Sequence, residues 1–250
     1  AGARAVRCAA AGASAKAVLL RAALTGAAIA LACYVRPSWI LAAPVFACAW
    51  IALGPRRKLA LAGGAVAVAA MLLALLPWGF RNQQVTGHFV LTTLWAGPSL
   101  YDGLHPEATG ASDMRFFDRD NLLARMSEYE MDAHYRRAAR EWALAHPGRA
   151  LELAAIKLWR YFKPWPSDDQ YVGRGPAIAI AAFYFPLIAL AAVGAWAHRR
   201  DAWLLLLTAG PLFYFAAIHM AFVSSLRYRL PAEYPLCVLA ACGASWLRQR

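Results

Sequence analysis

Charge is scarce in this chain, and negative charge is almost missing outside one stretch. Only 16% of the 250 residues are Asp, Glu, Lys or Arg, 61% are hydrophobic, and mean hydropathy is +0.42. A disordered segment has the opposite balance, and a soluble domain runs nearer ~45–50% apolar. Of the 14 acidic residues, only Asp201 and Glu233 fall outside 81–176. That stretch carries 12 acidic and 12 basic side chains and is neutral, so the whole excess of +12 flanks the apolar runs. Basic charge placed beside apolar runs is a membrane-topology signal, which excludes a nucleic-acid footprint. Cysteine is limited to Cys8, Cys33, Cys48, Cys237 and Cys242, with neither zinc spacing nor a disulfide framework. Four of the five lie in apolar runs, where a thiol behaves as a small hydrophobe. The phosphate-loop glycine motif, HExxH and GxSxG are all missing. No two apolar runs are broken by Gly or Pro in matching halves, which speaks against a transporter.

Six apolar runs are present, roughly 17–35, 38–53, 59–79, 177–197, 202–223 and 234–247. A helix crosses the hydrocarbon with about 20 residues. The third to fifth runs meet that length, the second and sixth are short, and the first carries Arg21, which can snorkel. The first run is read as a span and not as a signal peptide, because Ala30-Leu31-Ala32-Cys33 is a poor lipoprotein cleavage site and five more runs follow. Arg4, Arg7 and Lys16 precede the first run, and Arg56, Arg57 and Lys58 follow the second. Arg199 and Arg200 follow the fourth, and Arg248 and Arg250 the sixth. Placing these groups in the cytoplasm orients every span consistently. The sequence therefore predicts an all-α integral membrane protein with about six transmembrane helices and one large helical periplasmic loop. Its regions are 1–79, 80–176 and 177–250, with both termini cytoplasmic and residues 80–176 periplasmic.

The loop is too long to be structureless. Residues 81–110 are rich in Gly, Thr and Pro and predict irregular structure. A helix over about 118–145 follows, with Asp118 or Asp113 as cap and Leu122, Met126, Tyr129 and Ala133 as its apolar stripe. His146-Pro147-Gly148 ends it, and Pro147 opens a second helix to about 162. Leu151, Ala155, Leu158 and Phe162 form that helix's stripe, with Lys157, Arg160 and Lys163 on other faces. Trp142, Trp159, Tyr161 and Trp165 fit either a helix pair at the membrane surface or the core of a small external subdomain.

Three local constellations carry chemistry. Arg81 and Asn82, after Pro77-Trp78-Gly79-Phe80, can meet a phosphate or sugar hydroxyl, or simply anchor the chain at the interface. Tyr101, Asp102, His105 and Glu107 lie among turn formers, where a carboxylate can orient hydroxyls or act as a base, or make ordinary turn bonds. Arg227, Tyr228 and Arg229 lie before Leu230-Pro231, on the external side in this topology. Arginine there suits bidentate phosphate binding, or contact with lipid headgroups or Glu233. His88, His134, His146, His198 and His219 are scattered, and Asp168-Asp169 can bind a cation but reads first as a solvated acidic turn.

In this order the constellations resemble the polytopic GT-C glycosyltransferases. They look most like bacterial relatives of dolichyl-phosphate-mannose protein mannosyltransferases and the lipid A aminoarabinose transferase. The matching stretches are Arg36-Pro37, PWGFRN at 77–82, GHFVLTTLWAGPSLYDGLHPEATG at 87–110, HPGRALELAAIKLWRYFKPW at 146–165 and RYRLPAEYP at 227–235. The resemblance implies a multi-pass enzyme of the bacterial inner membrane and cell envelope. It would move a sugar from a polyprenyl-phosphate donor to a periplasmic or lipid-linked acceptor, generally with inversion. It also implies arginines at the donor phosphate, a role Arg227 and Arg229 match by position. Arg81, Asn82, Tyr101, Asp102 and Glu107 would be near the substrates. An acidic residue of the first external loop is expected to act as base or organise a divalent cation. Here the first turn is Arg36-Pro37-Ser38 and has no carboxylate. The expectation is thus that residues 1–250 correspond to the C-terminal half of such an enzyme, or a relic of one. The catalytic acid would lie outside the chain, supplied by an N-terminal half or partner subunit. No metal ligand and no fixed cofactor is assigned; the expected partners are the lipid-linked sugar and membrane lipids, not nucleic acid. A non-catalytic membrane scaffold is the rival reading, favoured by the missing carboxylate. An O-antigen ligase or polymerase would show more spans and a basic loop.

Overall fold

The computed structural model describes residue 12, residues 14–165 and residues 174–250; Arg4, Arg7, Cys8 and Asp168-Asp169 lie outside these. All regular structure among the described residues is helical. The chain divides into two compact units, residues 1–94 and 95–250.

The first unit holds α1 (Ala15–Val35), α2 (Ala42–Leu53) and α3 (Arg57–Thr86). Runs of Ala and Leu favour the helical state in all three. Ser14 starts α1 by accepting the Ala17 N–H at 3.3 Å. α1 and α3 pack through small residues, and the Tyr34 hydroxyl donates to the Ala74 carbonyl of α3 at 2.8 Å. Ala30, Cys33, Ala43, Met71 and Leu75 form the core. α3 outlasts the apolar run that announces it. Polar residues 81–86 continue the helix until Gly87 closes it at φ 76°, a conformation glycine adopts without steric penalty. The returning segment is pinned to this end, with Trp78 Nε1 donating to Thr92 O and Asn82 Nδ2 to Val90 O, both at 2.7 Å.

The second unit begins with α4 (Ala96–Gly103), α5 (Arg115–Asp120), α6 (Glu128–Ala145) and α7 (Pro147–Phe162). It continues with α8 (Arg174–Ala197), α9 (Ala202–Thr208), α10 (Gly210–Ala221) and α11 (Leu230–Arg248). A helix at 96–103 replaces the irregular structure expected there, and its sequence neighbours do not explain it. Its Gly97 N–H is satisfied from a distance, by the buried Asp132 carboxylate of α6 at 2.6 Å. The single helix expected over 118–145 is two helices. Asn121 takes a left-handed conformation at φ 42°, which Asn tolerates. Ser127 and Glu130 then form a reciprocal capping box that starts α6. Asp113 accepts the Arg115 N–H at 3.2 Å at the start of α5. Leu122 still packs with Phe116, Met131 and Tyr135, so the stripe survives the break.

α7 begins at Pro147 as its sequence suggests, but its buried face is not the expected one. Leu153, Lys157 and Tyr161 point inward, whereas Leu151 is 72% and Trp159 62% exposed. Of the expected stripe, Leu151 and Ala155 are exposed and Leu158 and Phe162 half-buried, while a lysine faces in.

Three helices, Ala15–Val35, Arg57–Thr86 and Gly175–Ala197, are long and apolar enough to cross a membrane. The pair α9 and α10, bent by 49°, makes up to four. The protein is therefore a helical membrane protein by length and composition. α8 and α11 pack closely: a Cβ on Gly194 would come within 2.1 Å of Leu239 O, and one on Gly243 within 2.0 Å of Leu190 O.

Candidate functional site

Three segments of the second unit bring polar groups together: the end of α4 with its following loop, the inner face of α7, and residues 222–229 after α10. Asp102 ends up 2% exposed. Its Oδ2 accepts the Ser112 hydroxyl at 2.6 Å, and its Oδ1 accepts the Asp113 N–H at 2.8 Å. Burial pushes its pKa above the ordinary carboxylate value, against the pull of those two bonds. His105 is 5% exposed and stacks on Tyr101, with centroids 5.2 Å apart. Its Nδ1 accepts the Glu107 N–H at 3.2 Å. Burial lowers its pKa, opposed by Asp102. The ring is thus neutral near pH 7 and carries its proton on Nε2. Among the described residues that buried Nε2 has no hydrogen-bond partner.

Lys157 lies fully buried on α7. Its ammonium donates to Ala221 O at 2.8 Å and Met220 O at 3.2 Å, placing a cation on the C-terminal carbonyls of α10. The approach is tight, because a Cβ on Gly103 would come within 2.5 Å of Ala221 O and 3.1 Å of Lys157 Nζ. Burial lowers the Lys157 pKa to about 8, with Asp102 opposing. Free lysine titrates near 10.5, so between about 8 and 10.5 the unfolded chain binds more protons at this site than the folded one. The folded state bears the full penalty of the buried charge below about 8 and is relieved of it as pH rises through that window. Denaturant titrations from pH 7.5 to 10.5 should therefore show wild-type stability rising relative to Lys157→Met; parallel profiles would remove the buried charge from the account.

The arginines after α10 have different fates. Arg227 is exposed; its guanidinium lies over the Tyr228 ring at 4.8 Å and donates to the Tyr228 hydroxyl at 2.8 Å. Tyr228 in turn stacks on His219 at 4.2 Å. Arg229 is 2% exposed. It pairs with Glu233 at 2.6 Å and donates to Tyr161 O at 2.9 Å and Lys163 O at 3.1 Å. It also lies 3.5 Å from the Tyr184 ring centroid. A guanidinium so committed is an internal strut, leaving Arg227 as the arginine that faces outward.

Of the other sequence candidates, Tyr101 packs against Phe116 and Tyr135 beside His105. Glu107 is exposed and pairs loosely with Arg119 at 3.6 Å. Arg81 and Asn82 belong to the first unit. Arg81 stacks on Trp78 at 5.0 Å and donates to Asn82 Oδ1 at 3.2 Å, while the Asn82 amide is spent on Val90. Among the described residues no group of three or more His, Cys, Asp or Glu is placed to hold a metal ion. Lys157 and Arg160 were visible only as polar interruptions of an apolar helix. The signal for Lys157 is its four-residue spacing from Leu153 and Tyr161, which puts all three on one face.

Compared with protein-family models, curated proteins and solved structures, the chain finds no match.

Proposed function

We propose that this chain contributes the donor-phosphate site and external loop of a membrane glycosyltransferase that uses a polyprenyl-phosphate sugar. The carrying observation is the exposed Arg227 guanidinium, held on Tyr228 in the turn that follows the bent apolar pair α9–α10. A lipid-linked phosphate at the membrane surface has its charge at that position, and arginine binds phosphate with paired, charge-assisted hydrogen bonds. The buried Asp102, His105 and Lys157 lie behind the same segment, and titratable groups displaced from their usual pKa values concentrate at functional sites. The GT-C-like motifs named from the sequence are the remaining support. In this reading an acceptor hydroxyl or amine attacks the anomeric carbon, and the bond to the phosphate oxygen breaks. Arg227 holds the departing polyprenyl phosphate, with Tyr228 positioning the guanidinium and Arg229 fixing the turn.

The topology that goes with this reading has six spans, α2 with its preceding turn and α11 completing the set. Residues 54–58 and 198–201 face the cytoplasm, residues 80–176 the periplasm, in a bacterial inner membrane. The exposed apolar side of α7, with Leu151 and Trp159, then lies against lipid. In intact cells, a membrane-impermeant thiol reagent should label Leu123→Cys and leave Lys58→Cys unlabelled. The reverse pattern, or equal labelling, would remove this topology. For the activity, the chain in neutral-lipid nanodiscs should bind a polyprenyl-phosphate sugar and lose it to competing polyprenyl phosphate; a chain that binds neither is no part of a donor site.

A further inference from the structure

The turn that carries Arg227 holds two hydroxyls that the fold does not use. Ser224 is 1% exposed, and its Oγ has no hydrogen-bond partner among the described residues. Ser225 stands at the start of the 3-10 turn Leu226–Tyr228, where a serine side chain normally caps the backbone. Its hydroxyl makes no such bond, and its buried Oγ also has no partner among the described residues. Buried polar atoms are nearly always satisfied, so two adjacent exceptions call for an explanation.

The backbone around them is fixed from both sides. The Ser224 N–H donates to Gly110 O at 3.4 Å. Arg160 reaches across from α7 and donates through Nε to Ser224 O at 3.3 Å, which uses one of the five donors of a guanidinium. Arg227 follows two residues after Ser225. The nearby carboxylate, Glu233, is already neutralised by Arg229 at 2.6 Å. Two hydroxyls and two guanidiniums have the donor chemistry that phosphate oxygens accept.

We infer that Ser224, Ser225, Arg160 and Arg227 form a seat for a phosphate ester, with Arg229 excluded from it as a strut. The identification of the ester as a polyprenyl phosphate rests on the glycosyl-donor reading above; the phosphate chemistry rests on these four side chains. Arg160 and Arg227 supply charge, and the serine hydroxyls donate charge-assisted hydrogen bonds to the anionic oxygens.

The test uses the whole chain in phosphatidylcholine nanodiscs, with polyprenyl phosphate, phosphatidylglycerol and inorganic phosphate as separate probes. The key variant is the Ser224→Ala, Ser225→Ala double substitution. Removing hydroxyls that have no partner leaves fold stability unchanged or slightly raised, so any loss of binding cannot be blamed on unfolding. Polyprenyl phosphate should bind wild type and weaken about tenfold or more in the double variant, in Arg227→Ala and in Arg160→Gln, each lost charge-assisted bond being worth about that factor. Equal affinity in wild type and the serine double variant would overturn the seat while leaving the donor reading intact. If phosphatidylglycerol or inorganic phosphate binds as tightly as polyprenyl phosphate and the same variants weaken it, the seat stands and the donor reading falls. No binding of any probe to wild type would overturn both.

Discussion

Arg229→Ala should destabilise the protein by about 3–5 kcal/mol, the loss expected when one partner of a buried ion pair is removed. The reason is the number of groups that depend on this one guanidinium. Glu233 would be left 12% exposed with no counter-charge, and the carbonyls of Tyr161 and Lys163 would lose a donor. The cation over Tyr184 would be lost as well. Arg229→Lys should recover little, because a single ammonium cannot reproduce the planar fork that reaches Glu233 through Nε and two carbonyls through one terminal nitrogen. Arg229→Met with Glu233→Leu should be less damaging than Arg229→Ala, since no charge is then stranded. Arg227→Ala, on an exposed side chain, should stay within about 0.5 kcal/mol of wild type. Chemical denaturation of each variant in detergent micelles separates the two arginines. Wild-type stability in Arg229→Ala would refute the strut.

Gly243→Leu should prevent α8 and α11 from packing, and Gly194→Leu should do the same. A Cβ at either position meets a backbone oxygen of the partner helix at 2.0 or 2.1 Å, and a backbone atom cannot swing aside as a side chain can. Even alanine would force the axes apart, and small-residue contacts of this kind drive association between apolar helices in lipid. The expected loss is about 1–3 kcal/mol for alanine, the usual range for overpacking, and more for leucine. Gly148→Ala is the control, with nothing within 4 Å of the added methyl. Unfolding by graded addition of denaturing detergent should place Gly243→Leu and Gly194→Leu far below wild type and Gly148→Ala beside it. Tolerance of leucine at both positions would mean that the helices do not meet there.

These two results depend on parts of the molecule that were legible to very different degrees. Gly194 and Gly243 lie in apolar runs that composition alone marks as helical, but nothing in either run says that they face each other. Arg229 and Glu233 are one turn apart, so their pairing was readable from spacing; the contributions of Tyr161, Lys163 and Tyr184 come from remote segments and were not. α7 shows the same division. Pro147 and the run to Phe162 mark its limits, yet the inward-facing Lys157 reverses the usual rule that the apolar stripe is buried. That rule fails here because the inner face of α7 meets the carbonyls of Met220 and Ala221 at the end of α10, which a lysine can satisfy and an apolar side chain cannot. Ser127-Glu128-Tyr129-Glu130 carried a capping-box signal that breaks the helix expected over 118–145, and the apolar spacing across it obscured the break. Ser224 and Ser225 gave no signal at all, because a hydroxyl without a partner is visible only once its surroundings are known.

A polyprenyl phosphate bearing a photoreactive group close to the phosphate, irradiated with the chain in nanodiscs and mapped by peptide mass spectrometry, examines the phosphate site directly. Cross-links should fall on peptides containing residues 222–228 and on the α7 segment around Arg160, and excess unlabelled polyprenyl phosphate should abolish them. Competable cross-links confined to the first unit would contradict the assignment of the phosphate site to Arg227 and its neighbours.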